Sequence, residues 1–266
     1  MTNVPFTKAH GAKNDFLLTW REDAPAGGFP ELARAICDRY TGVGADGWML
    51  VDAGHKAAIE LYNSDGSKPE LSGNGTRCAA AFLIASGKAT EEVHIQTGAG
   101  SKRLNLLRIE DQVYWFEMDM GEPVFEADTF ALTLATGVRD VTLVNVGNPQ
   151  CAIVCEHFDF DWRSMGAEVE RHPRFPNRTN VSFVRPVDEH TIEVRFFERG
   201  AGETHSSGTG STGAVAAAIR RGLATSPVRV LTPAGPLDLR WEKSIALTGP
   251  AELTADGIFH YEKIRR

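Results

Sequence analysis

Two short segments of this chain have the residue types to act as a pair. Residues 72–81 read S-G-N-G-T-R-C-A-A-A, and residues 207–216 read S-G-T-G-S-T-G-A-V-A. Each puts a serine ahead of a glycine-bearing turn and an alanine-rich stretch, which reads as the start of an apolar helix. A helix start carries backbone N–H groups without intrahelical partners. These groups and the helix dipole attract anions, and glycine lets a ligand approach the backbone closely. Ser72 and Ser207 also suit plain N-capping, which is what serine does at that position. Capping alone, however, requires no match in the flanking loops. Two such starts related by pseudo-symmetry could hold one carboxylate and stabilise a carbanion developing beside it. Inverting a stereocentre removes a proton from one face and returns one to the other. Two acid/base groups must then flank one carbon, and two copies of a half-site supply them.

The elements that must position these segments repeat with them. Ser72 and Ser207 are 135 residues apart, and the same offset aligns V-H-I-Q-T-G-A-G (93–100) with V-R-V-L-T-P-A-G (228–235). It also aligns Ile59 and Leu61 with Val194 and Phe196, Asn63 with Glu198, and Gly87 with Gly222. Several matches at one offset without gaps indicate two copies of one fold. Each copy starts with a period-two strand, Ile59 and Leu61 in the first and Ile192, Val194 and Phe196 in the second. A polar loop follows, N-S-D-G-S-K-P-E or E-R-G-A-G-E-T-H, and then the Ser-Gly-x-Gly turn. The pattern predicts helices over 74–86 and 209–221, apolar all round and therefore buried, with Gly87 and Gly222 as closing residues. Further strands are expected at 16–19, 49–51, 93–97, 104–109 and 113–118. Gly121-Glu122-Pro123 marks a break near the middle. The expected fold is α+β, with two pseudo-symmetric domains, each a mixed or antiparallel β-sheet wrapped around a central α-helix.

Composition bounds this picture without deciding function. The 266 residues are 42% hydrophobic and 24% charged, which is ordinary for a globular chain. A net charge of −7 argues against a nucleic-acid surface. No apolar run reaches the ~18 residues of a membrane span, and Lys8, His10 and Lys13 occupy the stretch where a signal peptide needs an apolar core. A soluble, cytoplasmic protein is expected. Cys37, Cys78, Cys151 and Cys155 are too few for a disulfide framework. Cys151 and Cys155 lie four apart, on one face of an expected strand. No further Cys or His ligands stand near them at metal-binding spacing, so no metal site is expected.

The ordered motifs K-A-H-G-A-K-N-D-F (8–16), G-V-G-A-D (42–46), N-S-D-G-S (63–67), S-G-N-G-T-R-C (72–78), G-N-P (147–149), T-N-V (179–181), E-R-G-A-G-E-T (198–204) and S-G-T-G (207–210) run through nearly the whole chain. In them the chain resembles the diaminopimelate epimerases, amino-acid isomerases that use no cofactor. The resemblance implies one domain over 1–118 plus 257–266 and a second over 119–256, because the last strand returns to the first domain. It further implies a substrate site in the cleft between domains, a homodimer, and a place in lysine biosynthesis. Asn14, Asn63, Asn148, Asn180, Glu198 and Arg199 match substrate-contacting positions. Asn63, Asn180 and Arg199 would grip the distal amino-acid end. Arginine's fork suits a carboxylate, and asparagine both donates and accepts. Gly73, Asn74, Gly208 and Thr209 would offer backbone groups to the carboxylate at the reacting end.

The sequence departs from that pattern at the proton-transfer groups. The family uses a cysteine pair as base and acid, and here Ser72 and Ser207 stand in both catalytic positions. A thiol ionises near pH ~8.5 and an aliphatic hydroxyl much nearer to water's ~15.7. A gap of roughly five units or more costs ~7 kcal/mol, of which a helix N-terminus returns only ~0.3–2 kcal/mol. Gln150 replaces the family's histidine after G-N-P, and Gly47 stands where a glutamine is frequent after G-A-D. The missing histidine would have assisted the first-domain thiol, and His205 is the nearest candidate helper for Ser207 in sequence. A deliberate pair of Cys→Ser changes would not account for Gln150 and Gly47, so natural divergence is the reading. Three activities remain open: isomerisation of LL- and meso-diaminopimelate, binding of an amino acid without turnover, and a one-proton reaction such as elimination of water from a related amino acid.

Overall fold

The computed structural model of this chain describes residues 2–54 and 56–262. The chain divides into two compact units, Met1–Met118 with Gly249–Arg266, and Asp119–Thr248. The return to the first unit therefore starts at Gly249, eight residues before the expected 257. The reason lies in the last strand, β16 (Ile245–Tyr261). Its start pairs with β15 (Gly235–Trp241) through Ile245–Thr248, whereas Glu252–Tyr261 pairs with β1 (Thr2–Gly11). The boundary falls where the strand changes partner.

The first unit contains β1, β2 (Asn14–Trp20), β3 (Gly47–Asp52), β4 (Ala57–Asn63), β5 (Glu92–Thr97), β6 (Gly100–Glu110) and β7 (Val113–Asp119). Its ladders are antiparallel for β1–β2, β3–β4, β5–β6 and β6–β7, and parallel for β2–β3 and β4–β5. The second unit contains β8 (Val124–Leu134), β9 (Gly137–Asn145), β10 (Pro149–Val154), β11 (Asn180–Asp188), β12 (Thr191–Glu198), β13 (Gly202–Thr204), β14 (Val228–Thr232) and β15. From β9 onward the alternation recurs: antiparallel β9–β10, parallel β10–β11, antiparallel β11–β12, parallel β12–β14, antiparallel β14–β15. Both sheets are mixed, and the repeat seen in the sequence is a repeat of ladder type.

Each sheet packs on one buried helix, α2 (Gly73–Ala85) in the first unit and α4 (Gly208–Arg220) in the second. Each starts one residue earlier than its spacing predicts, because Gly73 and Gly208 already have helical geometry. Residues 73–83 and 208–218 are buried without a break, as an all-round apolar pattern requires. The two helices end alike. Gly87 (φ 67°) and Gly222 (φ 68°) are left-handed. Gly87 N–H donates to Ile84 O and Lys88 N–H to Leu83 O, while Gly222 N–H donates to Ile219 O and Leu223 N–H to Ala218 O. These are paired Schellman closures.

Two surface helices complete the copies, α1 (Phe29–Cys37) and α3 (Trp162–Glu170). Leu32, Ala33 and Ile36 of α1 join Leu17, Trp48 and Leu50 in one core, and Trp162, Met165 and Val169 of α3 join Val181 and Phe183 in the other. Cys151 is fully buried in that second core, whereas Cys155 lies just past the end of β10 and is half-buried. The expected strand thus stops before Cys155, and all four cysteines are free thiols.

Candidate active site

Ser72 and Ser207 occupy equivalent positions, each the N-cap of its buried helix. Ser72 Oγ accepts from Gly75 N–H at 3.1 Å, and Ser207 Oγ accepts from Gly210 N–H at 3.0 Å. The glycine of the second turn is required sterically, whereas at Gly75 the atom in the way is the movable end of Met49. A β-carbon at Gly210 would lie 2.8 Å from the Phe196 ring and 2.9 Å from Ser207 Cβ, and one at Gly75 would lie 2.8 Å from Met49 Cε.

In the first unit the expected binding residues converge through β2, β3 and α2. Asn14 opens β2, and its Nδ2 donates to Asp46 Oδ2 at 2.7 Å. Asn74, in the first turn of α2, donates from Nδ2 to Asn14 Oδ1 at 3.3 Å. Asn63 closes β4 opposite Gly47, and its Nδ2 donates to Ser67 Oγ at 2.9 Å. The next residue, Ser64, donates its N–H to Asp46 O at 3.0 Å, which ties the Asn63 turn to the segment that holds Asn14. A β-carbon at Gly47 would meet Tyr62 O at 2.9 Å, so the β3–β4 ladder leaves no room for a side chain there. Burial alone would raise the Asp15 carboxyl, but hydrogen bonds and charge from Arg39 and Lys8 outweigh it and hold Asp15 below the usual carboxylate range.

In the second unit the expected residues form a tighter cluster. Gln150 Nε2 donates to Asn148 Oδ1 at 2.7 Å, and Asn148 Nδ2 donates to Thr209 Oγ1 at 3.3 Å in the first turn of α4. Asn180, paired with Gln150 across β10–β11, donates to Pro149 O at 3.1 Å and accepts from Arg199 N–H at 3.0 Å. The Arg199 guanidinium donates to Asn177 O at 3.4 Å. Glu198 closes β12, and the hairpin through β13 brings Thr204 and Ser207 back to its carboxylate. Thr204 Oγ1 donates to Glu198 Oε1 at 3.1 Å, and the Ser207 hydroxyl stands near enough to the same carboxylate to favour its charged form. Burial raises the Glu198 carboxyl above its ordinary value, and the two hydroxyls pull it part of the way back.

Glu198 is thus the ionisable group beside Ser207. His205, the helper expected from spacing, is exposed, and among the described residues its ring forms no hydrogen bond to Ser207. Gln150 is buried beside Gly213, where a β-carbon would meet Gln150 Cβ at 2.8 Å. Its Oε1 has no hydrogen-bond partner among the described residues. Cys78, five residues into α2, is fully buried, and desolvation pushes its thiol up to about 12, against a smaller opposing influence of Arg77. It is no substitute for a thiol at position 72. Sequence reasoning missed the Ser207–Glu198 contact, since nine positions separate the two and only the β12–β13 hairpin joins them. The period-two pattern ending at Glu198, followed by G-A-G, was the available signal for that hairpin.

A family model described as diaminopimelate epimerase matches residues 6–126 and 142–254 of this chain. The chain belongs to the diaminopimelate epimerase family. It is 37% identical to the diaminopimelate epimerase of Pelotomaculum thermopropionicum, over 96% of this chain and 99% of that one. It is 38% identical to that of Aromatoleum aromaticum, over 94% and 96% respectively. Among solved structures, a hydroxyproline epimerase from Agrobacterium vitis has the same fold, with a TM-score of 0.73 at 14% identity over 97% of this chain and 92% of that one. A phenazine biosynthesis protein of the PhzF family from Bacillus anthracis shares it too, with a TM-score of 0.72 at 13% identity over 97% and 99%. Family membership makes the chain an isomerase of the kind that works without pyridoxal phosphate.

Proposed function

We propose that this chain interconverts LL- and meso-diaminopimelate by proton transfer at the α-carbon, as a cytoplasmic homodimer in lysine biosynthesis. The family match supports the substrate. The observation that carries the chemistry is the duplicated N-cap: Ser72 and Ser207 each place a hydroxyl at a helix start whose N–H groups suit the substrate carboxylate. Gly73, Asn74, Gly208 and Thr209 supply those groups. Asn14, Asn63, Asn148, Asn180, Glu198 and Arg199 hold the rest of the amino acid. Ser207 passes its hydroxyl proton to Glu198 as Oγ takes the α-proton, so the carboxylate ends protonated, no free alkoxide forms, and the negative charge moves to the α-carbon.

The test is deuterium wash-in at the α-carbon of LL- and meso-diaminopimelate, read by mass spectrometry and NMR. Exchange accompanied by interconversion is expected. Tight binding without exchange would leave an amino-acid receptor and defeat the epimerase reading. Light scattering checks the dimer.

One observation favours a second reading. Position 63, which matches Glu198 in the repeat, is asparagine. The second half-site thus has a carboxylate beside its serine where the first has an amide at the matching position, which fits a reaction that abstracts a single proton. Incubation with hydroxy-amino acids and a search for a keto product tests this, and finding none removes the elimination reading.

A further inference from the structure

Four polar side chains of the first unit form a hydrogen-bonded chain with an anion at one end and a cation at the other. Asn14 Nδ2 donates to Asp46 Oδ2 at 2.7 Å, Asn74 Nδ2 donates to Asn14 Oδ1 at 3.3 Å, and Arg77 Nη2 donates to Asn74 Oδ1 at 2.6 Å. A carboxylate only accepts and a guanidinium only donates, whereas an amide does both and can turn over to exchange the two. Beside Asp46, Asn14 must present Nδ2, which leaves its Oδ1 facing Asn74. Beside Arg77, Asn74 must present Oδ1, which leaves its Nδ2 facing Asn14. The two charged ends impose the same sense, and the middle bond satisfies both. Turning either amide would bring like groups together at two contacts.

The ends are anchored independently. Asp46 is near the surface, where Oδ1 accepts from Arg39 Nη2 at 2.8 Å and Oδ2 accepts from Asp15 N–H at 3.2 Å. Arg77 is wholly buried; its Nε donates to Pro250 O at 3.2 Å, and Nη1 has no hydrogen-bond partner among the described residues. Its plane lies against Gly249, where a β-carbon would meet Cζ at 3.0 Å. A buried guanidinium without a carboxylate partner is expensive, and the fold does not demand one. The second unit builds the same helix with Thr212 at the matching position, and that hydroxyl donates to Gly208 O within α4 at 2.8 Å. Arg77 therefore serves something other than the helix frame: Nε ties it to the backbone at Pro250, and the side chain it donates to is Asn74.

We propose that Asp46 and Arg77 are positioning residues of the first half-site, which hold the Asn14 and Asn74 amides from opposite ends in the one orientation that receives the amino-acid substrate. This rests on the diaminopimelate reading for its ligand but not for its geometry. Releasing either end frees both amides to turn, so the two ends act as one device.

The experiment compares Asp46→Asn, Arg77→Met, their combination and Arg77→Lys, which keeps a donor-only cation. Meso-diaminopimelate affinity is measured by calorimetry, and the Asn14 and Asn74 side-chain amide signals are recorded by NMR without ligand. Each of the first two variants should weaken binding about tenfold, the loss of one hydrogen bond to a charged group. The double variant should lose no more than the worse single one, and Arg77→Lys should lose least. Without ligand, Arg77→Met should shift the Asn14 amide, two links away, and Asp46→Asn should shift that of Asn74. Losses that multiply to about a hundredfold, or an Asn14 signal unmoved by Arg77→Met, overturn the proposal. If Arg77→Met does not fold, the Asn74 signal in Asp46→Asn decides from the other end. If the unaltered protein binds no diaminopimelate, the substrate reading fails and the amide signals alone judge the relay.

Discussion

Restoring thiols at both N-caps, Ser72→Cys with Ser207→Cys, should accelerate α-proton exchange at neutral pH. The ionisation gap between hydroxyl and thiol costs ~7 kcal/mol or more. Each Oγ accepts a single N–H, at 3.1 Å for Ser72 and 3.0 Å for Ser207, and a helix start contributes only ~0.3–2 kcal/mol toward an oxyanion. About 5 kcal/mol remains uncompensated at Ser72, equivalent to between 10³- and 10⁴-fold at ~1.36 kcal/mol per decade. The proposed transfer to Glu198 reduces the deficit at Ser207, so most of the gain should come from position 72. A rise of about 10²-fold or more in deuterium wash-in is expected, with Ser72→Cys alone exceeding Ser207→Cys alone. A thiol caps a helix less well, so each change should lower stability by ~0.5–2 kcal/mol in urea titration. A folded double variant that binds diaminopimelate as before, yet exchanges no faster, would refute the assignment of both serines to proton transfer.

Other outcomes follow from individual contacts. The raised carboxyl of Glu198 contributes stability that is complete below the ordinary carboxylate range near pH ~4.3 and is lost as pH rises through its folded-state value. Glu198→Gln should therefore gain in melting temperature relative to the unaltered protein between pH 4 and pH 8, and a constant difference would count against burial as the cause. Gly87→Ala and Gly222→Ala, with φ of 67° and 68° and nothing within 4 Å of the added carbon, should each cost ~1–2 kcal/mol by backbone strain alone. Chemical denaturation should find the two losses equal within error. Gly213→Ala drives a methyl to 2.8 Å from Gln150 Cβ and should cost ~1–3 kcal/mol, with the Gln150 amide resonances displaced. Cys78 and Cys151 should resist a disulfide reagent in the native protein, while Cys155 reacts first.

The features legible in the sequence were those written in local spacing. The serine–glycine turns, the all-round apolar runs after them and the glycines at 87 and 222 define α2 and α4 because capping, burial and closure each depend on residues within one or two turns. The partner exchange along β16 is not local. Its residues alternate alike before and after Gly249, and only the strands already in place decide which edge they meet. The same limit applies to the site. Asn14, Asn74 and Thr209 could be named from motifs, but the contact of Ser207 with Glu198 depends on a hairpin register. The Asp46-to-Arg77 chain likewise spans three elements of the first unit. His205 shows the reverse error: two residues from Ser207 in sequence, it lies exposed while Ser207 is buried at the start of α4, so closeness along the chain does not make a contact.

The repeat duplicates geometry without duplicating charge. Backbone features recur in both units: the N-cap bond, the all-buried helix and the Schellman closure. Charged groups do not. Arg77 is matched by Thr212, and Glu198 by Asn63. The first half-site thus carries a buried cation that reinforces the positive end of α2, and the second carries a partly buried carboxylate beside its serine. A helix start with an added cation is the better anion receptor, and a hydroxyl on a carboxylate is the better proton acceptor. With thiols, each half can hold its own charge and the two can exchange roles. With serines, the proposed roles divide: the Ser207 half takes the proton and the Ser72 half steadies the negative charge. An enzyme built this way should abstract protons faster from one stereoisomer than the other, and initial wash-in rates for LL- and meso-diaminopimelate measured separately should differ by tenfold or more. Equal rates would mean that the surviving symmetry of the backbone, rather than the lost symmetry of charge, governs the reaction.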